Sequence, residues 1–506
     1  MKNFAELVRI LDRFRGRRIE TIDTSFRRHK EEKAFQLFAG IRTGTFKNDF
    51  EAAQNLYNAK PTDTRYSSLK NRLKSRMLNS LFHLDLKQAN YSKSAQMFYA
   101  CQKWRFFAQI LLRLDARNAG VAMAKRTLDT ALQYQFFDIA LEMSLQLRTH
   151  AGYIGNIALY ESYDKILKKI LSTLEAEYKS WEFFDRVQLV LRRKTAGLEK
   201  YLPQFTGYVS ELRSMLNEDS SFTFRLNYYR IVGITCGIQK NTRGRVAVSE
   251  EAIAYLETVP HLAQKMRFGE FEAQKLESYY TLGNYEKTIE AANQCTALFG
   301  YGSNNWFAVI EYSFLSLMNM FDFAKAQQLY LEVTMHPRYH LQPEAYHEHW
   351  AIFELYLHYA LKRTADYEKT ELRKRYDPNR FLAISPVARK DKQGLNAALL
   401  IVQIMYLLEL QHYDAIVVKM EALQTYRTRH VQARKMAAFF KLLRLMENNS
   451  FDYKLCLKKG KPYYEQILTS TEEFYDPEQE IQVLPYTWLW DRALESMQRQ
   501  SVVTPV

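Results

Sequence analysis

The sequence predicts an all-α protein, built as a long array of antiparallel helical hairpins, and three observations carry that prediction. Punctuation is sparse: 17 Gly and 11 Pro in 506 residues fall below half of the roughly 12% that average proteins devote to these two residues. So few turn-formers leave little room for β-hairpins and favour helices joined by short connections. Apolar residues also recur every three to four positions along most of the chain, the period of a helix that buries one face. Finally, the stretch 268–337 shows one pattern twice. Tyr279-Tyr280-Thr281-Leu282-Gly283-Asn284-Tyr285-Glu286-Lys287-Thr288-Ile289, with Ala292 and Cys295, is one copy. Met320-Phe321-Asp322-Phe323-Ala324-Lys325-Ala326, with Tyr330, Val333 and Pro337, is the other. Each reads as an apolar helix, a tight turn bearing an aromatic, and a second helix with small residues on its inner face, which is the layout of a helical-hairpin repeat.

Taken in order, Phe4, Leu7, Val8, Ile10 and Leu11 predict a first helix to about Phe14, and a second follows from Ile19 to about Phe46. The arginines from Arg9 to Arg28, with Lys30, read as a solvated face or as a grip on an acidic partner. From Thr62 to Tyr153 the pattern is continuously helical. Two turns there repeat the opening pattern, Ala89-Asn90-Tyr91-Ser92-Lys93-Ser94-Ala95 and Gln135-Phe136-Phe137-Asp138-Ile139-Ala140-Leu141. A small residue three positions after the aromatic lets the two helices approach, while the aromatic fills the gap at the turn. Tyr163, Ile166, Ile170, Leu171 and Leu174 form one further stripe, and Phe183, Val187, Val190 and Leu191 another. Arg192-Arg193-Lys194 closes the second, where cations suit the negative end of a helix. Ser220-Ser221 predicts a helix start before Phe224. The polar stretch 237–248 reads as an articulation, after which Ser249 is expected to cap a helix with Glu250 and Glu251 in its first turn.

On these turns the chain resembles the tetratricopeptide-repeat family, whose turn reads approximately Gly-Asp-Tyr-x-x-Ala. The matching positions are Gly283-Asn284-Tyr285-x-x-Thr288, Phe321-Asp322-Phe323-x-x-Ala326 and Gln411-His412-Tyr413-Asp414-Ala415-Ile416. The match is degenerate: only Gly283 keeps the turn glycine, and the turn aromatics lie further apart than the family's period of about 34 residues. The resemblance implies an α-solenoid, right-handed, with a concave ligand face. It makes Tyr91, Phe137, Tyr285, Phe323 and Tyr413 the aromatics that pack the repeat turns. Pro386, Lys390-Asp391-Lys392 and Gly394, taken with Ile481 to Trp490, are also similar to a family of bacterial helical proteins that brings no function with it.

Beyond the repeat pair, His336, His340, His347 and His349 cluster in sequence without HExxH spacing, and read as polar surface rather than metal ligands. A strong helix is predicted over 346–362. The segment 363–394 is the most basic stretch with loop character, and is long for a connection inside a compact array. Arg373, Lys374, Arg375, Arg380, Arg389 and Lys390 make it the expected partner-binding site. Hairpins resume over 395–446 around Tyr413, and an amphipathic stretch covers 453–475. Pro485 then opens a closing helix with Trp488, Trp490, Leu494 and Met497, suited to covering an open apolar end. The expected organisation is an N-terminal helical array (1–235), repeat-like hairpins (249–362), a basic linker (363–394) and C-terminal hairpins with their closing helix (395–506).

Composition narrows the function classes. Aromatics at 14% are too frequent for disorder. They read as half-buried core residues, with a base-stacking surface as the sharper alternative. A net charge of +15 over this length reads first as an ordinary solvated basic surface, with attraction to acidic protein, nucleic acid or anionic lipid as the alternative. Cys101, Cys236, Cys295 and Cys456 are dispersed, as in a reduced cytoplasmic protein. Glu6, Arg9, Asp12 and Arg13 interrupt the first apolar pattern, so no secretory signal is read there. The most apolar run, 397–410, contains Gln403 and Glu409 and is too short and polar to span a bilayer. No phosphate-binding glycine loop, nucleophile elbow, zinc-finger spacing or RNA-recognition signature occurs. The expected function is therefore a non-catalytic scaffold that binds a protein partner of acidic character, with no cofactor and no metal. The alternative is a helical-repeat protein associated with nucleic acid.

Overall fold

The computed structural model describes residues 7–8, 33–81, 91–193, 197–362, 367, 373, 382, 395–430, 434–469 and 482–503. Among these residues the chain is all-α, with no strand. It divides into two compact units, 1–176 and 177–506.

In the first unit α1 (Lys33–Arg42), α2 (Asp49–Tyr57) and α3 (Thr64–Leu81) enclose a core of Leu37, Phe38, Leu69, Leu73 and Met77, against which Val8 is buried. A second core joins α4 (Lys93–Arg113), α5 (Arg117–Gln133), α6 (Phe137–Tyr153) and the first half of α7 (Ile157–Arg193) through Cys101, Leu128, Met143, Leu147 and Ile170. The two stripes expected over 163–191 are thus one continuous helix, with Arg192 and Arg193 in its last described turn, while Lys194 lies outside the described residues.

The second unit continues with α8 (Leu202–Met215), α9 (Phe222–Ile238), α10 (Thr242–Thr258), α11 (Lys265–Thr281), α12 (Tyr285–Leu298), α13 (Asn304–Asn319), α14 (Phe323–Thr334) and α15 (Glu344–Leu361). Each of these packs against the next. Then come α16 (Leu395–Glu409), α17 (Tyr413–His430), α18 (Arg434–Asn448), α19 (Tyr453–Thr469) and α20 (Tyr486–Val503). The helices on either side of 363–394 are direct neighbours. The Tyr356 hydroxyl donates to the Ala398 carbonyl at 2.8 Å, and Lys362 pairs with Glu409 while lying over the rings of Tyr359 and Tyr406. Every residue from Asn396 to Leu408 is buried, the expected fate of the chain's most apolar run.

One turn geometry recurs at Asp115, Gln135, Gly155, Lys240, Gly283, Phe321 and Gln411. Each is in the left-handed region, with φ between 55° and 69°. The next residue's N–H reaches back to a carbonyl five residues earlier at 2.8–3.0 Å, as Asn284 does to Tyr279 and Asp322 to Leu317. This is the Schellman ending of a helix, and the same next residue immediately N-caps the following helix. Asn156, Asn241, Asn284 and Asp322 do so with their side chains. The expected turn aromatics Phe137, Tyr285, Phe323 and Tyr413 are each the first residue of the second helix. Three residues on, Ala140, Thr288 and Ala326 are fully buried at the helix contact, and Ile416 almost so. The ring of Tyr285 is half-buried against Tyr280.

Tyr91 departs from this register. It precedes the N-cap Ser92 and packs on the α1–α3 core instead. The expected articulation over 237–248 is another of the tight turns, and Ser249 is no cap. Asn241 already caps α10, so Ser249 lies buried within the helix with its hydroxyl on the Arg245 carbonyl. The stretch is polar because Lys240, Asn241 and Arg243 face solvent.

Only two of these turns carry glycine at the left-handed position, so the others bear a steric cost that glycine would relieve. Gln411 is exposed, so Gln411→Gly removes little besides that cost. It is expected to stabilise the chain by about 0.5–1 kcal/mol, read as a raised urea midpoint. An unchanged or lowered midpoint would show that the turn is not strained.

Candidate functional site

The second unit contains a cleft of about 480 Å³ whose walls come from three alternate helices, α7, α9 and α11. Short polar contacts set their register. The Ser221 hydroxyl, at the N-cap of α9, accepts from the Phe224 N–H and donates to the Glu177 carboxylate at 2.6 Å. One turn further, the buried Asn227 amide donates to the Ser180 hydroxyl at 3.2 Å. The next turn brings Arg230 over the ring of Phe184, 5.1 Å from its centroid. Contacts therefore advance in the same direction on both helices, so α7 and α9 run parallel. Gly233 lets α11 approach, since a Cβ there would meet the Gln274 side chain at 2.4 Å.

Arg230 is the chemical centre of the cleft. Only 7% of it is exposed, and its Nε and Nη2 donate to the two Glu270 oxygens at 2.7 and 2.6 Å. Arg267 adds a longer bond of 3.5 Å to the same carboxylate. Burial and the neighbouring Arg230 charge hold the Arg267 guanidinium below its ordinary pKa. Two cations thus share one anion, which leaves one positive charge in surplus. At the rim stand Asp185 and Arg192, and Arg192 has no acidic partner among the described residues. The lining has anion-binding groups set against an aromatic wall.

The same face of α7 carries exposed apolar groups. Tyr178 is 70%, Trp181 43% and Leu189 51% exposed. Their spacing with Asp185, Gln188 and Arg192 is that of one helix face, and Trp181 touches Phe184 edge-on, with centroids 6.1 Å apart.

Of the expected partner-binding residues, Arg373 is described and half-buried. Lys374, Arg375, Arg380, Arg389 and Lys390 lie outside the described residues, as do Arg9 to Arg28 and Lys30. The histidines go separate ways. His336 packs among Tyr301, Trp306 and Phe307, His349 faces Glu311 at 3.1 Å, and the buried His358 bonds the Tyr367 hydroxyl at 2.6 Å. Among the described residues no three His, Cys, Asp or Glu side chains converge as metal ligands. All four cysteines are free and buried, and burial pushes the Cys295 thiol up to about 12.

Sequence reasoning missed Arg230. Its available signal was a lone cation between Tyr228-Tyr229 and Ile231-Val232, a place where a charge requires a partner when buried. The chain matches no protein family, and neither a curated protein nor a solved structure is significantly similar to it.

Proposed function

We propose that this protein is a non-catalytic helical-repeat scaffold, akin to tetratricopeptide arrays, that docks an acidic segment of a protein partner. The observation that carries the reading is the face of α7 described above, where exposed Tyr178, Trp181 and Leu189 adjoin a cleft with surplus positive charge. Large exposed apolar groups rimmed by polar ones are the signature of an interaction surface. The basic segment with Arg373, Lys374, Arg375, Arg380, Arg389 and Lys390 is a second element of the same proposal, since it adds to the electrostatic attraction of an acidic partner. No helix among the described residues is long and apolar enough to cross a membrane.

The nucleic-acid alternative finds less support. In the first unit Arg126 lies over Trp104 at 4.1 Å and Arg117 over Tyr153 at 4.3 Å, so the protein's own cations occupy faces on which bases would stack. A photocrosslinking residue at position 181, introduced into the full chain in its native cell, is expected to capture a discrete protein. That adduct should weaken when Arg230→Met is added, whereas the same probe at position 153 should not give it. An adduct with nucleic acid, or none, would sink the proposal.

A further inference from the structure

The proposed docking surface has a chemical specificity written into one side chain. Glu270 uses the Nε and Nη2 edge of Arg230, while Nη1 has no partner among the described residues. A guanidinium carries five N–H donors in a fixed plane. Two of Arg230's are committed to Glu270. The Nη1 hydrogens and the second Nη2 hydrogen therefore form a further fork, and Arg230 lines the cleft. Such a fork matches the two oxygens of a carboxylate, in the geometry that Glu270 already adopts on the adjoining edge.

We propose that Arg230 is the anchor of a carboxylate subsite. Its occupant is an Asp or Glu side chain of a peptide segment that also carries a large apolar side chain about one helical turn away. This rests on the scaffold reading above and names the chemistry its cleft selects.

Two observations set the class. Charge is the first. Arg230, Arg267 and the rim's Arg192 against Glu270 and Asp185 leave a single positive charge. A phosphate group carries nearly two negative charges, so it would face both carboxylates under-compensated, whereas a lone carboxylate balances the surplus. The apolar neighbour is the second. Phe184 touches Arg230 on one side and Trp181 on the other, and Trp181 and Leu189 are open on the same helix face. A segment that places its carboxylate on the fork therefore lays its adjacent residues across an aromatic shelf.

The test is peptide selection. Random dodecapeptides are displayed and selected on the immobilised full chain, as wild type, Arg230→Met and Glu270→Gln. On wild type, enriched peptides should carry Asp or Glu within one helical turn of Trp, Phe or Leu. Replacing that acid by its amide should weaken binding about tenfold, because a charge-assisted fork is lost. The acidic preference should vanish on Arg230→Met and rise on Glu270→Gln, which removes the negative charge that now competes for Arg230. Enrichment of non-acidic peptides on wild type, or an acidic preference unmoved by both variants, overturns the subsite and leaves the scaffold reading standing. Displacement of selected peptides by millimolar inorganic phosphate but not by acetate overturns it in favour of a phosphate site. No enrichment over bare matrix removes the scaffold reading and the subsite together. Should Arg230→Met fail to fold by circular dichroism, Glu270→Gln decides alone, and an unaltered acidic preference there overturns the proposal.

Discussion

Phe353→Ala is expected to cost about 3–5 kcal/mol of stability. Phe353 lies midway along α15 with no exposed surface. Its ring stacks on Phe314 of α13, with centroids 5.1 Å apart and planes at 22°, and meets Trp350 edge-on at 5.6 Å. Truncation removes transfer free energy and leaves a cavity walled by rings that cannot collapse far, because their backbones are held in packed helices. Urea unfolding followed by near-ultraviolet circular dichroism should show the midpoint fall with the slope kept. A loss below about 1 kcal/mol would mean that the core repacks freely around the deletion.

Trp490→Ala should be of similar size, about 3–5 kcal/mol, and it tests a feature no local pattern announces. The closing helix α20 does more than cover its predecessor α19. It also lies on α16 and α18, with Tyr486 stacked on Phe439 at 4.6 Å. Ahead of it, the Asn319 amide donates to the Gln482 and Val483 carbonyls, both at 3.3 Å, and Trp488 meets Phe321, Phe323 and Tyr359. Trp490 itself is only 2% exposed and seats against Gly460, where a Cβ would lie 2.9 Å from the indole. Because this closure ties the chain's end to a turn near residue 321, unfolding of 395–503 should remain coupled to that of 304–361. Hydrogen exchange on Trp490→Ala should show protection falling in both regions. Loss confined to α18–α20 would show that the closing helix is a local cap after all.

Much of the architecture was legible because it rests on short-range physics. Helical periodicity, the Ser221 cap, the cations in the last described turn of α7 and the all-round apolarity of α16 are each properties of one helix and its immediate flanks. The turn aromatics were legible for the same reason, Tyr91 excepted. Its ring packs on the α1–α3 core rather than on its own hairpin. Turns were expected at Gln135, Phe321 and Gln411, but the left-handed backbone at these residues and at Lys240 was hidden. Its signal is ordinarily glycine or asparagine, yet two backbone hydrogen bonds and the next helix's start are enough to hold other residues there. Lys240-Asn241 consequently reads as a loop in sequence and is a tight turn in the fold.

The candidate site divides along the same line. Density of positive charge is visible residue by residue, and it points to 363–394. The cleft cannot be found that way, since Phe184, Arg230 and Glu270 belong to three helices and no spacing links them. By itself, the sequence determined that this protein is all-helical, how its hairpins turn at their aromatics, and that it carries a surplus of positive charge. Only the tertiary structure decided which of those charges is buried, which carboxylate it must share, and where the closing helix returns. Periodicity is set by neighbours along the chain, whereas burying an arginine depends on partners that folding brings from some forty residues away.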